Sequence, residues 1–439
     1  MVEKAKKDGV QFVSLQFSDL LGIPKEIIIP VDELDKALSE GIWFDGSSIE
    51  GFARIQESDQ FLRPDESTYA IIPWLEEGGR TARFICDIFK PDGTPSNLDP
   101  RRILKRALKE AKDMGFEFNV GPELEFYLVV PDENGNIKPL DSYGYFDFSP
   151  HLGYKILKEI NQALKQFGIT VEASHHEVAS GQYEIDFRYG DALSIADKVL
   201  TLKYTVKKIA QMHGLKATFM PKPFFGMNGS GMHTHLSLWD EKNKRNAFYD
   251  YDEKDKYKLS DVAYHFLSGV IKHIKAMSAI LSPTVNSYKR LVAGYEAPVY
   301  ISWACMNRSA LIRVPQWFKT KPSSSRIELR NPDPSCNPYL AFATVLKAGL
   351  DGIKNKLTPP EPVEENIYEM DDIERHERKL DSLPFSLYDA ILEMSKDELI
   401  RDTLGDEMFE RYIQIKNKEY DDFRIRVTNW EVEKYVDLY

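Results

Sequence analysis

The sequence predicts an α+β protein in which a small N-terminal sheet domain precedes a larger domain of mixed α and β structure. Three observations carry that reading. The chain has 439 residues, more than one ordinary domain holds. A stretch rich in Pro, Gly, Asp and Asn, PDGTPSNLDP at 91–100, divides it. Short β-like runs fill the part before that stretch, and helix and strand patterns alternate after it. The two domains are expected at 1–98 and 99–439.

In the first part VQFVSLQF, KEIIIPV, TYAIIPW and ARFICDIF read as strands, and VDELDKALSEG reads as a helix among them. In the second part helices carry clear stop and start signals. Asp99 can cap, Pro100 suits the first helical position and Gly115 ends the element. Between them Ile103, Leu104, Ala107, Leu108, Ala111 and Met114 form one apolar stripe. Residues 149–168, 191–214 and 260–281 read as further helices. FNVGPELEFYLVV, GQYEIDFRY, MHTHLSLW and RIELR read as the strands between them. The connections favour a mostly antiparallel sheet without fixing it.

Composition narrows the class. The chain is 42% apolar and 12% aromatic, enough for a sizeable core. Its net charge of −12 argues against a nucleic-acid or membrane-surface partner. Cys86, Cys305 and Cys336 are odd in number and form no CxxC. That excludes a disulfide scaffold and a zinc–cysteine site, and fits a reducing, cytoplasmic setting. The start, MVEKAKKDGVQF, has no signal-like apolar stretch, and no apolar run approaches the ~20 residues of a membrane span.

The chemistry is concentrated in alternating positions. Residues two apart in a strand share a face, so Glu123 and Glu125 project together from an otherwise apolar segment. Burying two like charges costs several kcal/mol, about that much per ion, unless cations compensate them. Gln182, Glu184 and Asp186 repeat the pattern, as do His233 with His235 and Glu328 with Arg330. Glu177 precedes Glu184 in SHHEVASGQ. Any one of these is as readily a solvated strand face, and a lone histidine in an apolar strand is more often a core residue than a ligand. Four strands with the same pattern are harder to read so. Carboxylates with a single imidazole suit Mg²⁺ or Mn²⁺ rather than zinc or copper. Such a bed points to phosphoryl transfer with two or more metals. No GxxxxGK[ST] and no kinase signature set occurs.

A basic cluster follows. KRLVAGYEAPVYISWACMNRSALIRVP carries Arg290, Arg308 and Arg313 with Glu296 between them, and Arg326 and Arg330 come soon after. Guanidinium forks match carboxylates and phosphates, although any single arginine is more often a surface ion pair. NGSGMH at 228–233 is a Gly-rich turn feeding a strand, a weak signal alone.

Together these segments resemble the type I glutamine synthetase family along nearly the whole chain. The motifs are WFDGSSIEGFARI (43–55), GPELEFYL (121–128), SHHEVASGQYEID (174–186), NGSGMHTHLSL (228–238), KRLVAGYEAPV (289–299), NRSALIRVP (307–315) and RIELRNPDP (326–334). The resemblance implies an N-terminal β-grasp-like domain and a catalytic α/β domain. It also implies a homo-dodecamer of two stacked hexamers with active sites between subunits. The implied reaction joins ammonium to the side-chain carboxylate of L-glutamate with ATP, through γ-glutamyl phosphate, on two or three Mg²⁺ or Mn²⁺ ions.

By position in the motifs, Glu125, Glu177 and Glu184 match ligands of the metal nearer glutamate. Glu123, His233 and Glu328 match ligands of the metal nearer the ATP phosphates. Asn228, Gly229, Arg290, Glu296 and Arg330 match glutamate-binding positions. Tyr189, His235, Ser237, Arg308, Arg313 and Arg326 match ATP positions. Asp45, from the adjacent subunit, matches the base that takes a proton from ammonium, and Glu296 the residue that closes over the intermediate. Arg308 is expected to act on the transferring phosphoryl group. Departures are Ala293, where the family commonly has proline, and Ser323-Ser324-Ser325, where some members are basic. Tyr368 sits near the tyrosine that some members adenylylate, but its acidic and proline-rich flank is absent. That resembles the alpha subtype, in which Arg54 matches the glutamine feedback sensor. Two rivals stand beside this reading: a ligase of the same fold using another amine, and a catalytically silent member. Asp45 with Glu296 speaks against the first, and six intact ligand positions against the second.

Overall fold

The computed structural model describes residues 1–49, 59–74, 78–148, 152–316, 321–378 and 380–439. Among these residues the chain forms two sheets. The first has six strands, all within the first 89 residues. Its order is Pro24–Pro30, Phe12–Ser18, Thr81–Phe89, Asp59–Pro64 and Ile42–Asp45, with Ala70–Ile71 pairing on Thr81–Phe89. Phe12–Ser18 and Thr81–Phe89 run parallel; the other pairs are antiparallel. Helix Leu34–Ser39 lies between the second and third of these strands in sequence. TYAIIPW keeps only two strand residues, because residues 66–68 turn in a 3-10 helix capped by Asp65.

The second sheet has eleven strands. Its main path runs Trp303–Ala304, Ile312–Arg313, Ile327–Leu329, Met232–Asp240, Phe116–Pro131, Gln182–Phe187 and Val171–His176. Every pairing is antiparallel except Trp303–Ala304 with Ile312–Arg313. The expected α+β class with a mostly antiparallel large sheet is therefore the observed one.

The helix signals act as their chemistry dictates. The Asp99 side chain accepts from Arg101 N, Pro100 opens helix Pro100–Asp113, and Gly115 follows in the left-handed region. Asp191 caps Ala192–Met212, and Ser260 caps Asp261–Leu281. The helix expected over 149–168 spans Leu152–Gln166, and residues 149–151 lie outside the described residues. Two long helices, Asp261–Leu281 and Pro338–Asn355, cross at glycines. A Cβ on Gly269 would fall 2.0 Å from Ala348 O, and one on Gly352 1.9 Å from His265 O, so only glycine lets the backbones approach this closely.

Alternation then divides the large sheet. Phe118, Val120, Leu124 and Phe126 of the central strand are buried, with Met232, Leu236, Leu238, Tyr183, Ile185 and Phe187 beside them. These side chains join one core with the helices. The opposite face is left to the polar residues, and it carries the site. No described helix is long and apolar enough to cross a membrane.

Candidate active site

Strand register assembles the acidic residues. Glu123 lies opposite Asp186 on one neighbour and His233 on the other. Glu125 lies opposite Glu184, which in turn lies opposite His175. Glu328 lies opposite His235 and Arg313. Residues far apart in sequence thus line a cavity of about 630 Å³, which also includes Glu177, Glu296, Arg290, Arg308, Arg330, Asn228 and Gly229. A second cavity of about 400 Å³ shares Glu123 with the first and is lined by Tyr189, His235, Ser237, Ser323–Ser325 and Arg326.

The ligand atoms of Glu123, His233 and Glu328 lie within 4.8 Å of one another. Glu125, Glu177 and Glu184 share the cavity, but the close grouping here is His175, Glu184 and Asp186. His175 bridges two of the expected ligands: its Nε2 is 3.2 Å from Glu184 and its Nδ1 3.6 Å from Glu177. Glu125 Oε2 accepts from Gln182 Nε2 at 2.9 Å and from Gly231 N at 3.0 Å.

These carboxylates have too few cations of their own. Burial, then the neighbouring acids, pushes Glu125, Glu184 and Asp186 above the ordinary carboxylate range; burial, with Glu296 and Glu123 nearby, does the same to Glu177. Glu123 goes the other way. Burial opposes its ionisation, but the His233 imidazole 3.6 Å away and the hydrogen-bonded His235 hold it well below the usual range. Burial, with Arg330 adding to it, pulls His233 down to about 4, so its imidazole is neutral at pH 7 and able to ligate. Glu328 is lowered in spite of burial, chiefly by Arg330 and His233. The donor set fits a hard divalent ion: it is rich in carboxylate oxygen, holds one neutral imidazole in the triad with Glu123 and Glu328, and leaves Asp186 Oδ1 buried without a hydrogen-bond partner among the described residues.

The arginines are less uniform than the sequence implies. Arg330 Nη1 donates to Glu328 Oε1 at 2.6 Å. Arg313 Nε approaches Glu328 Oε2 at 2.8 Å as an ion pair without hydrogen-bond alignment. Arg290 gives Nη1 and Nη2 to the carbonyls of Asn331, Pro332 and Arg330, so much of its fork is already engaged. Arg308 is exposed on the cavity wall and makes no ion pair among the described residues. Arg326 Nε donates to His235 Nδ1 at 3.2 Å, and His235 Nε2 lies 2.7 Å from Glu123 Oε1.

The Gly-rich turn earns its glycines. A Cβ on Gly229 would meet Pro221 O at 2.5 Å and Arg290 Cγ at 2.8 Å. Tyr127 OH donates to Asn228 O at 2.6 Å, and Asn228 Nδ2 to Glu296 Oε2 at 3.3 Å. Glu296 itself has φ 57°, a left-handed backbone unusual outside glycine.

Two expected residues stand apart. Asp45 ends the edge strand of the small sheet, where its Oδ1 accepts from Ser47 N, and it lines neither cavity. Arg54 lies outside the described residues. Conversely, His175 and Tyr145 belong to this region although the sequence singled out neither.

Comparison with known proteins agrees with the fold. Residues 9–91 match the family described as glutamine synthetase, beta-Grasp domain, and residues 97–435 glutamine synthetase, catalytic domain. The glutamine synthetase of Clostridium saccharobutylicum is 52% identical over 442 residues, spanning 100% of this chain and 98% of that protein. That of Methanosarcina mazei is 50% identical over 441 residues, spanning 100% and 97%. Among solved structures, a GmaS/ADP complex superposes with a TM-score of 0.89 at 32% identity, covering 99% of both chains. Plasmodium falciparum glutamine synthetase does so at 0.88 and 29%, covering 99% and 98%.

Proposed function

The chain belongs to the glutamine synthetase family, and we propose that its cleft joins ammonium to the side-chain carboxylate of L-glutamate through γ-glutamyl phosphate, with ATP as phosphoryl donor. Glutamine synthesis driven by ATP is the family's activity, and about half of all positions are identical to named glutamine synthetases along the full chain. The observation that carries the site is the under-compensated row of acids facing arginines across one cavity.

A carboxylate is a poor electrophile because oxide is a poor leaving group. Transfer of the γ-phosphoryl group to the glutamate side chain gives an acyl phosphate and ADP. Asp45 of a neighbouring copy takes a proton from ammonium; the resulting ammonia attacks the carbonyl carbon, phosphate leaves, and the surplus proton on nitrogen passes to Glu296, giving glutamine. Glu123, His233 and Glu328 would hold one divalent ion, and Glu125, Glu177 and Glu184 another. Bound Mg²⁺ or Mn²⁺ supplies charge neutralisation to the phosphates. Arg308 and Arg313 face the phosphoryl group. Asn228, Gly229, Arg290 and Arg330 bind glutamate, with Arg290 offering only what its carbonyl bonds leave free.

The second cavity takes the nucleotide, with Tyr189, His235, Ser237 and Arg326 on its walls. Glu296 closes over the intermediate and excludes water, which competes with ammonia for the acyl phosphate. Asp45 acts on ammonium from a neighbouring copy, consistent with its exposed edge strand beside Trp43. We place the domain boundary at 98/99. We assign the chain to a cytoplasmic homo-dodecamer of the alpha subtype, with Arg54 mediating glutamine feedback. Exposed Trp430, Val432, Val436 and Leu438 near the C-terminus offer apolar contact area for such an assembly.

Incubation with glutamate, ATP and Mg²⁺ tests the reaction. Ammonium-dependent phosphate release with equimolar glutamine supports it, and equal turnover with methylamine or none with any amine overturns it. Arg54→Ala is expected to lose glutamine inhibition; unchanged sensitivity removes that assignment.

A further inference from the structure

The loop from Glu296 to Arg308 carries two of the site's groups at its ends, and one distant segment grips both ends. Near the Glu296 end, Tyr368 OH donates to Ala297 O. At the Arg308 end, the Glu364 carboxylate accepts two consecutive backbone N–H groups: Cys305 N to Oε1 and Met306 N to Oε2, each at 2.9 Å. Asn307 Nδ2 donates to Val363 O at 3.1 Å and Glu365 O at 2.6 Å. Its Oδ1 accepts from Ser309 N and Ser309 Oγ, closing a turn over Arg308. Val363 N donates to Trp303 O at 2.9 Å.

The backbone on both sides of Arg308 is therefore fixed, while its guanidinium stands exposed on the cavity wall without an ion pair among the described residues. A side chain in that state owes its position to its backbone rather than to its own contacts.

We propose that Glu364 is a positioning residue for the reaction, holding the turn that aims Arg308 at the transferring phosphoryl group. It touches no substrate. It acts by offering one carboxylate oxygen to each of two adjacent amides, which a shorter or neutral side chain does less well. This rests on the functional reading above.

The test is a double-mutant cycle on the full-length enzyme with Glu364→Ala, Arg308→Ala and both. Phosphate release, glutamine, KM for glutamate and the thermal midpoint are read for each. Glu364→Ala is expected to lower kcat about 10- to 100-fold with KM for glutamate nearly unchanged, and to cost no further activity once Arg308 is alanine. Glu364→Asp should recover part of the loss. Equal fold-losses in both backgrounds, a loss that tracks only the thermal midpoint, or no loss overturns the proposal. If the wild-type enzyme releases phosphate with glutamate but makes no glutamine from ammonium, the functional reading fails while the phosphate-release cycle still decides the role of Glu364.

Discussion

Two buried charge clusters sit in this molecule, and they are built in opposite ways. In one, Arg101 lies among Asp65, Asp87 and Asp197 where the small sheet meets the catalytic helices. Its Nε and Nη2 bond Asp197 at 3.0 Å, Nη2 reaches Asp65 at 2.8 Å, and Nη1 reaches Asp87 at 2.8 Å. Lys105 adds a second cation on Asp87, and Tyr339 OH a donor on Asp197. In the other, Glu125, Glu177, Glu184 and Asp186 face one another and are all pushed up. In the first cluster each of the three acids is hydrogen-bonded to a cation of the chain. The second is short of positive charge and makes sense only with cations from outside. Compensation, rather than burial, separates the structural cluster from the functional one.

The comparison can be broken in four ways. Glu184→Gln removes a charge that the cleft needs and should lower glutamine formation about 10³-fold, about 4 kcal/mol in barrier, as measured by steady-state assay. Arg101→Met removes the cation that bonds all three acids of the other cluster. It should cost about 3 kcal/mol of stability in a denaturant titration, with Mg²⁺ affinity unchanged. If Mg²⁺ affinity fell equally, the two clusters would not be independent. Mg²⁺ at a hundredfold excess over its Kd should stabilise the wild-type fold by about 2.7 kcal/mol, and Glu184→Gln by clearly less.

The fourth effect is in pH. Acids with raised pKa hold more protons in the metal-free folded state than in the unfolded one. Stability of the metal-free protein should therefore fall as pH rises above the ordinary carboxylate range, and saturating Mg²⁺ should abolish that slope. Asp65 answers with the opposite sign. Burial opposes its ionisation, but Ser67 and Arg101 hold it below 3.8. Its contribution is present above that value and is lost as pH falls through its lowered folded pKa. A metal-free melting series that rose steadily with pH through neutrality would contradict the account of the cleft.

Much of the site was legible because strand alternation is local. Glu123 with Glu125, Glu184 with Asp186 and His233 with His235 declare a shared face from spacing alone. Helix Pro100–Asp113 declared itself through Asp99-Pro100. The same signal at Asn337-Pro338 opens helix Pro338–Asn355 and was available to be read. His175 was not legible as a partner of Glu184, because nothing in SHHE says which neighbour it faces. Arg290 reads as a ligand-binding arginine, yet its fork turns to three carbonyls, a choice made by the fold of residues 330–332. Asp45 carries a motif identity that its own chain's cavities do not use.

The sequence by itself determined the class of the fold, the faces of its strands and the oxygen-rich chemistry of the site, because all three follow from spacing and residue type within a few positions. Tertiary structure alone decided the register that sets Glu123 between Asp186 and His233, and the strap that joins residues 363–368 to the loop ending at Arg308. A one-residue slip would turn either strand's acids into the core. Which strand meets which is chosen by burial of the whole apolar face, a sum over the chain that no local window contains.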